Sequence, residues 1–119
     1  MLYRDAHLTL DFQRHLATLD SQPLVLTRKE YDLLALLVGY AGMIIPRAEI
    51  LMRVWGYSTE IRTRTLDVHI RHLRKKLGVY AGVYIETVFG IGHRFQPYDT
   101  SARVQSAALM ERPVLALGA

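Results

Sequence analysis

The sequence predicts an α+β domain with an N-terminal antiparallel sheet, three helices and a C-terminal β-hairpin. Three observations carry that prediction. Residues 60–77 repeat apolar side chains at Leu66, Ile70, Leu73 and Leu77, the i, i+4, i+7, i+11 spacing of a single helix face. Thr27-Arg-Lys-Glu30 is a capping box, in which the Thr27 hydroxyl takes an orphan helix N–H and Glu30 reaches back. Near the other end, Val83-Tyr-Ile-Glu-Thr-Val88 and His93-Arg-Phe95 are strand-like runs around Phe89-Gly-Ile-Gly92, whose glycines permit the positive φ of a tight hairpin.

In chain order, His7-Leu-Thr-Leu-Asp-Phe12 and His15-Leu-Ala-Thr-Leu19 alternate apolar and polar, and Leu24-Val-Leu26 is a third apolar run. Asp11, Gln13 and Asp20-Ser21-Gln22-Pro23 supply the turns between them. The helix after the capping box runs to about Tyr40. It is apolar on most sides (Tyr31, Leu33, Leu34, Leu36, Leu37, Val38), as a central core helix should be. Ala41-Gly-Met43 breaks it, and Ile44-Ile45 is short and extended. Pro46 opens a second helix, because proline suits the first turn; Ile50, Leu51, Val54 and Trp55 form its apolar face and Gly56 ends it. Thr63 is the expected N-cap of the basic helix, and Gly78 stands where that helix should stop. Residues 1–97 make up the folded domain. Residues 98–119 form a tail rich in Ala, Ser and Leu, compatible with one further helix over 101–112 that Pro113 would end.

Charge is concentrated rather than spread. Residues 60–77 hold six Lys or Arg against two acids, a net of +4, and the whole 119-residue chain is also +4, so everything else is neutral. A cationic helix with an apolar back is suited to a polyanion. With half its residues apolar, the chain can bury a core. It has no cysteine, which removes thiolate metal sites, thiol nucleophiles and disulfides. The longest apolar run, 33–45, contains two glycines and falls short of the roughly 20 residues of a membrane helix. The N-terminus lacks a signal-peptide layout, so a cytoplasmic protein without membrane contact is expected.

At 100° per residue Arg64, Val68, Arg71, His72 and Lys75 cluster opposite the apolar stripe, with Thr65 beside them. The order of strands, three helices and hairpin describes a winged helix-turn-helix, whose third helix enters the major groove while the hairpin lies beside the backbone or the minor groove. Val68, an apolar residue on a basic face, suits a thymine methyl, or else packs on the linker. Asp67 is placed to pair with Arg71 at i+4 and orient it, or to act as a helix-stabilising pair with no DNA role.

These residues also carry a resemblance. Leu26-Thr-Arg-Lys-Glu-Tyr-Asp-Leu-Leu34, Arg47-Ala-Glu-Ile-Leu51, Val54-Trp-Gly56, Arg64-Thr-Leu-Asp-Val-His-Ile-Arg-His-Leu-Arg-Lys-Lys-Leu77 and Ile85-Glu-Thr-Val-Phe-Gly-Ile-Gly-His-Arg-Phe95 resemble the effector domain of OmpR/PhoB-type bacterial response regulators, over about residues 8–96. The resemblance implies a two-component transcription regulator that binds double-stranded DNA at direct-repeat half-sites as a head-to-tail pair. It implies contact with RNA polymerase through the loop at 56–62. It places Arg64, Thr65, His69 and Arg74 largely at phosphates, Val68, Arg71 and His72 at or near base edges, and Thr87 and Arg94 near the wing's backbone contacts. The sequence departs from the family where many members carry Arg at position 72, Arg at the wing tip (here Phe89) and Tyr at position 93. It also has Pro46 where a serine cap is usual. The family's phosphorylated receiver domain is not within these residues. The chain is either the effector half of a longer protein or a free-standing binder, and Asp11, Asp20 and Asp32 are not phosphoacceptors.

Two rival classes differ in what they require. An enzyme with a metal at His69 and His72 would need a third convergent ligand, which the sequence does not place nearby, so no catalytic residue, cofactor or metal is expected. A winged-helix protein-interaction module without specific DNA binding is the alternative. It would show a shallow salt dependence where DNA binding shows a steep one.

Overall fold

A computed structural model of the chain describes residues 1–56 and 59–98, with the backbone alone at 59–63. Two sheets flank a helical core. The first holds β1 (Leu2–Arg4), β2 (Leu8–Asp11), β3 (Leu16–Leu19) and β4 (Gln22–Pro23) in that order, all antiparallel. Leu8 and Leu10 point inward along β2 and Ala17 does so from β3, the period-2 burial that the alternation predicts. The Asp11 carboxylate accepts the Gln13 and Arg14 N–H groups to turn the chain, and Asp20 and Ser21 both take positive φ between β3 and β4, as a type I′ hairpin requires.

This sheet differs from the expected three strands. β1 is additional; three residues are too few to show a period. Leu24–Leu26 are not a strand, although the Leu24 N–H still donates to the Ala17 carbonyl at 2.9 Å.

Helix α1 (Arg28–Gly39) begins at the capping box, with both reciprocal hydrogen bonds formed. Tyr31, Leu33, Leu34, Leu37 and Val38 bury it between the other elements. β5 (Ile44–Pro46) leads directly into α2 (Arg47–Trp55). Pro46 lies just outside that helix as its N-cap, not in its first turn, because β5 claims it as the partner of Gly92. Gly56 ends α2 at φ 73°, and the Lys29 ammonium donates to the Val54 carbonyl at 2.8 Å, capping the same end.

Helix α3 spans Thr59–Leu77, so Thr63 lies inside it and is not its N-cap. No residue of 59–62 is a helix breaker, and propagation continues back to the connection from α2. Leu66, Ile70, Leu73 and Leu77 are all buried, as their spacing predicts. After Leu77 comes an unexpected 3₁₀ turn (Gly78–Tyr80) and a short α4 (Ala81–Tyr84), so Val83 and Tyr84 belong to a helix and not to a strand. Tyr84 is turned fully inward, where it stacks on Phe95 and donates to Asp5 at 2.6 Å.

The hairpin β6 (Ile85–Val88) and β7 (Gly92–Phe95) forms the wing. β7 is the central strand of the second sheet, paired on its other side with β5. Asp5 ties the first sheet to α4 and to the chain beyond β7, accepting from the Tyr3 and Tyr84 hydroxyls and from the N–H groups of His7, Leu8 and Tyr98. Burial opposes its charge, but those donors outweigh it and hold its carboxyl below the ordinary range. The expected tail helix over 101–112 lies outside the described residues, as do Tyr57 and Ser58 of the 56–62 loop; Thr59 onward in that loop is helical backbone.

Candidate nucleic-acid interface

The apolar stripe of α3 fixes which residues face out. Arg64, Arg71, His72 and Lys75 are exposed, and Thr65 and Val68 are half-buried at the edge of the same face. Val68 lies with Arg64, Asp67 and Arg71 around a shallow surface depression. Neither Arg64, Arg71 nor Lys75 has an ion pair or side-chain hydrogen bond among the described residues, so their charges are available to an external partner.

The expected Asp67–Arg71 pair is not what forms. Asp67 pairs with Arg47, in the first turn of α2, at 2.8 Å. The crossing of α2 and α3 brings a better-placed guanidinium to Asp67 than the helix does at i+4. Arg71 thereby keeps its planar fork of donors unengaged among the described residues. Arg47 was not legible as part of the site, since its partner lies twenty positions away on another helix.

Four residues expected at phosphates or near the wing's backbone contacts have structural partners. Arg74 donates to the Ile85 carbonyl at 3.0 Å and to the Thr87 hydroxyl at 2.7 Å, fastening the wing to α3. Thr87 is therefore engaged as well. His69 packs edge-on against Trp55, and its Nδ1 donates to the Thr65 carbonyl at 2.8 Å. A carbonyl only accepts, so the Nδ1 proton of His69 is committed within the helix. Arg94 is paired across the strands with Glu86 at 2.7 Å. Arg74→Ala is expected to destabilise the fold by about 1–2 kcal/mol, by stranding the Ile85 carbonyl and loosening the wing. Unchanged urea stability with a shallower salt dependence of DNA binding would instead make Arg74 a phosphate contact.

A second anchor lies at the far edge of α3. Glu30, only 3% exposed, accepts from Lys76 at 2.6 Å and has His72 Nδ1 at 3.5 Å. Burial raises its pKa, but Lys76, the Thr27 N–H and His72 bring it below the usual value. The capping carboxylate of α1 thus also sets the rotation of α3, through a lysine whose partner is 46 residues away in sequence.

Behind the interface, His93 of β7 is 3% exposed. Thr87 accepts from Arg74, and its hydroxyl proton is left to donate to His93 Nδ1, 3.1 Å away. The ring is then neutral with its proton on Nε2, which has no partner among the described residues. Burial, and then the Arg47 and Arg74 charges, lower its pKa to about 4. His69 and His72 stand 6.3 Å apart, and no group of three or more potential metal ligands exists among the described residues. No helix among them is long and apolar enough to cross a membrane.

A cationic third helix held by a buried stripe and flanked by a hairpin wing defines a winged helix-turn-helix domain. Residues 21–95 match the model of the family described as "Transcriptional regulatory protein, C terminal", and the chain belongs to that family, a class of transcription-factor domain rather than of enzyme. It is 49% identical over 77 residues to the response regulator ArlR of Staphylococcus saprophyticus, a match covering 64% of this chain and 35% of that protein's length. The DNA-binding domain of Escherichia coli CpxR superposes with a TM-score of 0.74 at 28% identity, covering 83% of this chain and 99% of that one. The RstA DNA-binding domain of Klebsiella pneumoniae, solved in complex with the RstA box, also gives 0.74, at 29% identity over 82% of this chain and 98% of that one. The OmpR/PhoB resemblance in the sequence is thus matched in both sequence and fold.

Proposed function

We propose that this domain binds double-stranded DNA sequence-specifically, with α3 in the major groove, and regulates transcription as the effector of a two-component response regulator. One observation carries the reading: Arg64, Arg71 and Lys75, with half-buried Val68 among them, share the outward face of a helix whose back is buried, and their charges have no partner among the described residues. The solved complex of the similar RstA domain with the RstA box supports it. Arg64, Thr65 and Lys75 meet phosphates; Val68, Arg71 and His72 face base edges. Pairing of two domains on direct repeats, contact with RNA polymerase through 56–62 and coupling to a receiver domain complete the proposal, as does a cytoplasmic location.

Arg71 provides the test. Its alanine variant should lose about 1–3 kcal/mol of affinity on the preferred site and relax selectivity at one position, as expected for a guanidinium that forks to a base. Quantitative binding to a panel of single-base variants measures this. Equal loss on every sequence would reduce Arg71 to a phosphate contact.

A further inference from the structure

We propose that Phe89 is an apolar wedge that enters the minor groove next to the segment read by α3 and partly unstacks one base step there. This rests on the DNA-binding reading above. At the wing tip the Ile91 N–H donates to the Val88 carbonyl at 2.9 Å, closing a four-residue turn, and Gly90 takes φ +79° at its third position. Phe89, at the second position, is left 91% exposed, and Ile91 is 52% exposed beside it. The ring does not pack inward.

The tip has no cation with which to hold a phosphate. Residues 85–92 contain no Lys or Arg, and their one charge, Glu86, is taken by Arg94. Its base is stiff, because β7 is hydrogen-bonded on both sides and Arg74 fastens β6 to α3. Phe89 and Arg71 line the same cleft between α3 and the wing. A duplex that holds Arg71 in its major groove therefore presents its adjacent minor groove to the tip. Apolar side chains inserted there pry base steps apart and bend the duplex, and pyrimidine–purine steps yield at least cost. Phe89 thus selects for a deformable step at a fixed offset from the bases Arg71 reads, without reading any hydrogen-bonding edge.

The experiment uses a duplex selected from random DNA by this protein, with 2-aminopurine placed in turn at each position flanking the Arg71 contact. Wild-type binding should raise the fluorescence at one flanking step. Phe89→Ala should abolish that rise and bind about tenfold more weakly with an unchanged salt slope, while Phe89→Leu restores both. Thermal unfolding of the variants should match wild type, since the ring is almost wholly exposed. A Phe89→Ala variant with wild-type affinity and an undiminished fluorescence rise would overturn the wedge. If Arg71→Ala weakens binding in parallel while Phe89→Ala does not, the wedge fails and the DNA reading stands. No binding by wild type at low salt would overturn both.

Discussion

Gly92→Ala is expected to destabilise the domain by about 3 kcal/mol or more, far beyond what one methyl group ordinarily costs on a surface hairpin. A Cβ built there would lie 1.9 Å from the Ile45 carbonyl oxygen and 2.9 Å from the Pro46 Cα. Both are backbone atoms of β5, so no side chain can rotate aside to admit it. Relief requires β5 and β7 to separate, breaking the pairing of Pro46 with Gly92 and disturbing the bond from the Arg47 N–H to the Ile91 carbonyl. Because β5 runs straight into α2, the displacement reaches the Arg47–Asp67 pair that orients α3. Gly90→Ala is the comparison: nothing lies within 4 Å of its added Cβ, and the cost there is only that of a positive φ, about 1 kcal/mol. Urea unfolding of both variants checks the ranking, and a Gly92→Ala protein no weaker than Gly90→Ala would contradict it.

Acid should weaken the fold well before its carboxylates titrate. His93 has a folded pKa of about 4 against an ordinary value of 6.5. Between those values the unfolded chain binds a proton that the folded one refuses, so stability falls as pH falls through this window. The loss is about 2 kcal/mol by pH 5 and about 3 kcal/mol near pH 4. Asp5 and Glu30 are also held below their ordinary values of 3.8 and 4.5, and their contributions are lost as pH falls further. The interval from pH 7 to pH 5 therefore lies above these two carboxylates, and comparison with a His93 variant singles out His93 from the other histidines. His93→Gln, whatever its stability at pH 7, should lose markedly less than wild type across that interval. Parallel slopes for the two proteins would show that His93 is not the group responsible.

Elements that declare themselves locally were legible in the sequence. The capping box, the four-residue apolar stripe of α3, the glycine stop at Gly56 and the hairpin all rest on neighbours within a turn or two of chain. The structure adds what depends on distant partners. In the sequence Gly92 reads as a source of positive φ, but it is needed for space against β5. In the sequence His93 stands out only as a departure from the family pattern, because nothing near it in sequence predicts that Arg47, Asp67, Arg74 and Thr87 surround it. For the candidate interface, spacing around the helix identified Arg64, Val68, Arg71, His72 and Lys75 as the outward face. It did not separate them from Arg74 and His69, whose partners lie on the wing and on α2. Residue type alone cannot distinguish an arginine that fastens a strand from one that awaits a phosphate.

Selection of bound sites from a pool of random duplex DNA tests the central claim most directly. Recovery of a defined half-site, repeated head to tail about one helical turn apart, is the predicted result. Binding to the recovered duplex should weaken with salt at a log–log slope near −5 for about six phosphates. No sequence enrichment even at low salt, or a salt dependence close to flat, would contradict the account and make the exposed face of α3 a surface for protein instead.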